Sequence, residues 1–199
     1  MRIVLATNNV HKIEEIKSIL TGLEADILTL EDFREFPQVE ETGETLKDNA
    51  ILKAQAVFRF SGLPSLADDS GLEVEALDGA PGVRSSRFGG EQCSFADNNR
   101  KLLELLRDVP WEGRRAKFVC VVALAGDPSR IVTVKGELQG FIALQGKGQG
   151  GFGYDPVFYV PELNKTLAQL TPEEKNRISH RARAFNRARE LILKGFFDD

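Results

Sequence analysis

Leu66-Ala67-Asp68-Asp69-Ser70-Gly71-Leu72 decides how this chain is read. Residues 65–67 are small and apolar and read as a buried strand. Two carboxylates, a hydroxyl and a glycine follow, the composition of a sharp polar turn. Leu72, Val74 and Ala76 then alternate with Glu73 and Glu75, a period of two that predicts a second, half-buried strand. The two acids are therefore expected at a break between extended segments, projected by a loop from a rigid frame. Neighbouring carboxylates repel unless a proton or a cation intervenes. One reading is a hard-cation site, Mg2+, which takes oxygen ligands. The other is an ordinary Asp-Ser-Gly turn.

The 199 residues are read as a single domain over 1–199. Hydrophobic residues make up 42% and charged residues 28%, enough for a packed core and unlike a disordered chain. A formal net charge of -4 argues against a general nucleic-acid coat, which needs a basic face. Two cysteines, Cys93 and Cys120, form no close pair and suit a reducing compartment. The apolar run before Thr7 is too short for a secretory signal, and no later run approaches a membrane span. A cytoplasmic protein without membrane or nucleic-acid partner is the expectation.

Upstream of the acids, residues 2–6 read as a strand, Thr7-Asn8-Asn9 as a turn, and Ile13, Ile16 and Leu20 as the face of a helix. A helix start exposes unpaired N–H groups that attract anions. Lys12 stands in that first turn, against the helix dipole. A phosphate bound by Thr7, Asn9 and Lys12 would reverse that sign. Residues 25–30 form a weaker strand and 31–41 an acidic loop. A long helix is expected from about Thr42 to about Phe60, with Leu46, Ala50, Ala54 and Val57 on its apolar stripe. Glu40 and Glu41 precede it and could join Asp68 and Asp69 around a cation, or simply complement the dipole.

Downstream, residues 78–90 read as loop and Ser94 as a helix cap. Residues 116–125 form a buried strand, Gly126-Asp127-Pro128 a turn, and 130–144 a returning strand or strand pair. The glycines of 146–155 do not open a helix, so their spacing is not a dinucleotide fingerprint. They predict a loop whose backbone approaches a ligand closely, with Phe152 and Tyr154 as stacking faces and Asp155 as an acceptor. Thr171-Pro172-Glu173-Glu174 has capping-box spacing. On one helix His180 and Arg181 would lie about 140° and about 240° from Lys175. The three converge only if the helix breaks, and Ser179 is the candidate break. Arg183, Arg187 and Arg189 read as a solvated face.

Six motifs in this order resemble the Ham1 family of purine nucleoside triphosphate pyrophosphatases, the inosine triphosphatases. They are Thr7-Asn8-Asn9-Val10-His11-Lys12, Glu40-Glu41-Thr42-Gly43, Asn49-Ala50-Ile51-Leu52-Lys53-Ala54, Ala67-Asp68-Asp69-Ser70-Gly71-Leu72, Gly150-Gly151-Phe152-Gly153-Tyr154-Asp155-Pro156, and Lys175 through Ser179-His180-Arg181. The resemblance covers essentially the whole chain. It implies an α/β fold, with a long bent mixed β-sheet, flanking helices and two lobes around a central cleft, and a homodimer. It implies Mg2+-dependent hydrolysis of the non-standard nucleotides ITP, dITP and XTP to monophosphate and pyrophosphate. Asp69 would be the general base, with Lys53 beside it, and Glu40 and Asp69 would hold Mg2+, with Glu41 and Asp68 as near alternatives. Thr7, Asn8, Asn9, Lys12 and Lys53 would bind the triphosphate and Ser70 the nucleotide. Phe152 would stack on the base, and Gly153, Tyr154, Asp155, Lys175, His180 and Arg181 would complete the base and ribose pocket. One departure is visible: Arg84 stands where the family carries an aromatic, and Ser86 where it carries alanine. A Maf-type pyrophosphatase and a non-catalytic nucleotide sensor are the competing readings.

Overall fold

The computed structural model describes residues 1–37, 39–127 and 129–198. Gln38 of the acidic loop, Pro128 of the expected turn and the last residue, Asp199, lie outside the described residues. The chain opens with strand β1 (Arg2–Leu5) and helix α1 (Val10–Ile19), followed by β2 (Asp26–Leu28). Helix α2 spans Leu46–Ser61, four residues later than the expected start. The Thr45 side chain caps it by accepting from Asp48 N at 3.1 Å. Residues 42–44 are held outside the helix because Gly43 N donates to Asn49 Oδ1 at 2.7 Å. Gly62, in the left-handed region at φ 67°, ends α2.

Strand β3 (Ser65–Val74) overturns the expected break: it runs unbroken through both aspartates. An extended chain points successive side chains to opposite faces. Asp68 and Asp69 therefore meet different partners and need no loop to separate them. Gly71 lies within this strand because a Cβ there would stand 2.5 Å from Gly82 O, on the neighbouring β4 (Pro81–Gly82).

Helix α3 (Phe95–Leu105) starts at the Ser94–Asp97 capping box, and β5 (Arg115–Ala125) and β6 (Ile131–Ile142) follow. Strands β7 (Phe158–Val160) and β8 (Lys165–Thr166) escape sequence reading, being too short to show a period. Helices α4 (Pro172–Ile178) and α5 (His180–Leu193) are separated by extended Ser179, the expected break. Among the described residues eight strands form one mixed sheet in the order β2-β1-β3-β5-β6-β7-β8, with β4 on β3. β1 pairs in parallel with β2 and β3, whereas β7 pairs antiparallel with β6 and β8. Among the described residues no helix is long and apolar enough to cross a membrane.

The chain divides into two compact units. The first comprises 1–69, 120–136 and 181–199, and the second 70–119 and 137–180. Each has its own core. In the first, Ile3, Leu5, Ile16 and Leu66 pack with Val122, Leu124, Phe185 and Ile192. In the second, Leu72, Leu102, Phe118 and Leu138 pack with Tyr154, Phe158 and Leu167. Each such aliphatic or aromatic side chain contributes about 1.5–3 kcal/mol on burial.

Candidate functional site

The first unit gathers acids and cations from four elements. Asn9 caps α1 by accepting from Lys12 N at 3.1 Å, and Thr7 Oγ1 accepts from Asn9 N at 3.2 Å. This turn aims Lys12 Nζ at Asp68 Oδ2, 2.9 Å away. Asp68 is thus the anion that reverses the unfavourable placement of Lys12 at a helix start. The same carboxylate oxygen lies 3.6 Å from Arg181 Nη2, and Arg181 Nη1 reaches Glu15 Oε2 on α1 at 2.6 Å. On the opposite face of β3, Asp69 Oδ1 lies 3.3 Å from Lys53 Nζ, and Asp69 Oδ2 accepts from Asn49 Nδ2 at 3.2 Å. Lys53 also meets Glu41 Oε1 at 2.6 Å.

Electrostatics separate the two aspartates. Burial pushes the Asp68 carboxyl up, but the Lys12, Arg181 and Lys53 cations outweigh it and hold Asp68 well below the usual carboxylate range. Burial also raises Asp69. Lys53 and Lys12 pull it down without cancelling that rise, and the Glu41 and Asp68 charges add to it. Burial draws the Lys53 ammonium down, yet Asp69, Asp68 and Glu41 more than compensate and it stays firmly charged. Asp68 is consequently a locked anion, and Asp69 a carboxylate with unusual appetite for a proton or cation.

The second unit holds a different cluster. Asp155 Oδ2 lies 2.5 Å from Lys175 Nζ and accepts from Phe152 N at 2.8 Å. Lys175 Nζ stands 4.8 Å from the centre of the Phe152 ring, a cation–π contact. Tyr154 is buried in the core, and its hydroxyl donates to Ser85 O at 2.9 Å. Burial, helped by Cys93, pushes that phenol far above its ordinary value. The His180 ring stacks on Phe118, with centroids 4.5 Å and planes 10° apart. Two glycines of this loop approach the chain itself closely. A Cβ on Gly148 would stand 2.4 Å from Ala168 backbone atoms, and one on Gly151 2.1 Å from Asp155 Oδ2.

Of the expected site residues, contacts within the first unit link Thr7, Asn9 and Lys12 to Asp68 on one face of β3 and Lys53 to Asp69 on the other, and contacts within the second join Phe152, Asp155 and Lys175. Arg181 belongs with Asp68 and Glu15 in the first unit, whereas His180 lies in the second. Consecutive helical residues point about 100° apart. Asn8 is exposed, Ser70 is half-buried, and Gly153 adopts φ +64° with open space around its Cβ position. Glu40 is exposed and makes no side-chain bond or ion pair among the described residues; Glu41 is the acid that meets Lys53. Sequence reading missed Asn49 and Glu15. Asn49 had a signal: a buried amide one turn before Lys53 on an otherwise apolar helix face. Glu15 stands three residues after Lys12, on the neighbouring turn of α1.

A model of the Ham1 family matches residues 3–191. A relative from Desulforamulus reducens, named dITP/XTP pyrophosphatase, is 50% identical over 192 residues, covering 96% of both chains. One of the same name from Geobacter sulfurreducens is 51% identical over 183 residues, covering 92% of both. Among solved structures, a HAM1 protein from Coxiella burnetii is 41% identical, with TM-score 0.90 over 98% of this chain and 99% of that one. The Staphylococcus aureus Ham1 protein is 43% identical, with TM-score 0.87 and the same coverage.

Proposed function

The chain belongs to the Ham1 family, and from that premise we propose that it hydrolyses ITP, dITP and XTP to the nucleoside monophosphate and pyrophosphate. The observation that carries this reading is Asp69, a buried carboxylate raised in proton affinity and held between Lys53 and Asn49. Such a group suits a general base for water. Asp69 takes the water proton as the water oxygen bonds to phosphorus, and the α–β anhydride bond breaks to release pyrophosphate. Lys12 and Lys53 offset negative charge on the phosphates.

The donor set of the first unit fits a hard divalent cation. Glu15, Glu41, Asp68 and Asp69 outnumber Lys12, Lys53 and Arg181, so a polyanion needs added positive charge to enter. Among the described residues no group of three His, Cys, Asp or Glu is arranged to hold a metal unaided. Mg2+ takes one or two carboxylates and completes its shell with substrate phosphates and water. Asp69 and Glu41 are the residues that would hold it, with Glu40 as the neighbouring acid. When bound, Mg2+ supplies charge neutralisation at the phosphoryl oxygens.

In the second unit Phe152 supplies a stacking face and Lys175 a donor for a 6-keto oxygen. Donors there meet the 6-amino group of adenine donor to donor, which can discriminate by ~10^4–10^5. The enzyme is read as a cytoplasmic homodimer acting on free nucleotides, with no nucleic-acid partner at a net charge of -4. Pyrophosphate release from ITP, dITP, XTP, ATP and UTP, measured side by side with Mg2+, tests this. Turnover of the first three is expected. Preference for UTP, or release of orthophosphate in place of pyrophosphate, refutes it.

A further inference from the structure

The Phe152 loop is held by more than the Asp155–Lys175 pair, because helix α3 reaches it twice. Asn99 Nδ2 donates to Gly153 O at 3.0 Å. Phe95, one turn earlier on the same helix face, sets its ring 6.1 Å from that of Phe152, with the planes tilted by 45°. The Ser94 capping box fixes where α3 begins and so places Phe95 at its first position, where the ring remains 44% exposed. Gly153 has φ +64° and open space around its Cβ position, so packing does not force its conformation. The bond from Asn99 anchors its carbonyl. Only the amide N–H2 can donate to a carbonyl, which settles the orientation of the Asn99 side chain. Its Oδ1 is then buried without a hydrogen-bond partner among the described residues. An amide held at that cost is placed for its Nδ2 contact.

We infer that Phe95 and Asn99 are positioning residues for base recognition, a seat on α3 that fixes the plane of Phe152 ahead of binding. This rests on the reading of Phe152 as the stacking face. Ordering the loop in advance lowers the cost of binding a base and leaves the bond-breaking step alone. The effect therefore falls on KM for a nucleoside triphosphate, and not on kcat or on a phosphate chain lacking a base.

The test is steady-state kinetics on ITP with Mg2+ for wild type, Asn99→Ala, Phe95→Leu and Phe95→Tyr, with inorganic tripolyphosphate as competing inhibitor. The seat predicts KM raised about three- to tenfold in Asn99→Ala and Phe95→Leu, kcat within about twofold, and near wild-type KM in Phe95→Tyr. Inhibition by tripolyphosphate should be unchanged throughout. Amide hydrogen exchange supplies a readout independent of activity: Asn99→Ala should speed exchange over residues 150–155 and leave 172–178 unaffected. Phe95→Leu, at an exposed site, keeps the test alive if Asn99→Ala folds poorly. Unchanged KM in an active Phe95→Leu, or a loss confined to kcat, overturns the seat alone. A wild type inactive on ITP overturns the functional reading, and the seat with it.

Discussion

Lys53–Asp69 in the first unit and Lys175–Asp155 in the second are the same chemical pair in two settings. The second is closed. Its side chains are 5% and 3% exposed, its atoms are 2.5 Å apart, and its carboxylate also accepts from Phe152 N. The first is looser, at 3.3 Å, and its lysine is shared with Glu41, which is 35% exposed. A buried pair that also holds the Phe152 backbone makes a frame that keeps an aromatic ring in place. A carboxylate in an acid-rich, partly open cluster keeps capacity for a cation or a proton. On the proposed function, the closed pair suits recognition of a flat base and the open pair the handling of a charged phosphate chain.

Chelating divalent ions attacks the first setting hardest. The account predicts loss of ITP turnover by about a thousandfold or more, restored by Mg2+, since metal charge neutralisation is worth several kcal/mol. Full activity in excess chelator would break the comparison. Next in size is Asp68→Asn, which strips the carboxylate from Lys12 and Arg181. It should cost about 3 kcal/mol in denaturant unfolding, the low end for a broken buried pair because Arg181 keeps Glu15. Its pH dependence has a definite sign. The native Asp68 pKa lies below its unfolded value, so its stabilisation is complete well above the ordinary carboxylate value of about 3.9, declines as pH falls below it, and is gone once pH passes the depressed native value. Asp68→Asn should flatten that part of the acid limb.

Lys175→Met probes the second setting. It should raise KM for ITP about 10- to 100-fold, the worth of one charged hydrogen bond, while tripolyphosphate inhibition holds. A loss confined to kcat would erase the distinction between the two pairs. Smallest is Arg187→Gln on the exposed face of α5. Stability should change by less than about 0.5 kcal/mol and both kinetic constants should stay put. A large change would revive a role for the C-terminal arginines.

The strands and helices with long periods were legible from sequence, as were the caps at Ser94 and Thr171 and the break at Ser179. Asp68–Gly71 misled, because Asp, Ser and Gly carry turn propensity while the buried cations that keep them extended come from Lys12, Lys53 and Arg181, distant in sequence. The same remoteness hid the division of labour between the acids, since adjacency suggests one cluster and a strand's pleat makes two. Glu40 and Glu41 were not separable by spacing, and only the fold shows which of them meets Lys53. The glycines of 146–155 read as letting the backbone approach a ligand closely, and the close approaches of Gly148 and Gly151 are to Ala168 and Asp155. Tyr154 read as a stacking face because nothing local reveals that its hydroxyl is committed to Ser85.

The most direct test of the division between Asp68 and Asp69 is Asp69→Asn, assayed at once for ITP binding by calorimetry, for pyrophosphate release and for thermal unfolding. Binding with Mg2+ should persist, turnover should fall by about 10^2–10^4, and the unfolding midpoint should hold or rise, because a burdened carboxylate has been removed. Turnover near wild type, or unfolding as costly as that of Asp68→Asn, would contradict the assignment of Asp69 to chemistry and Asp68 to structure.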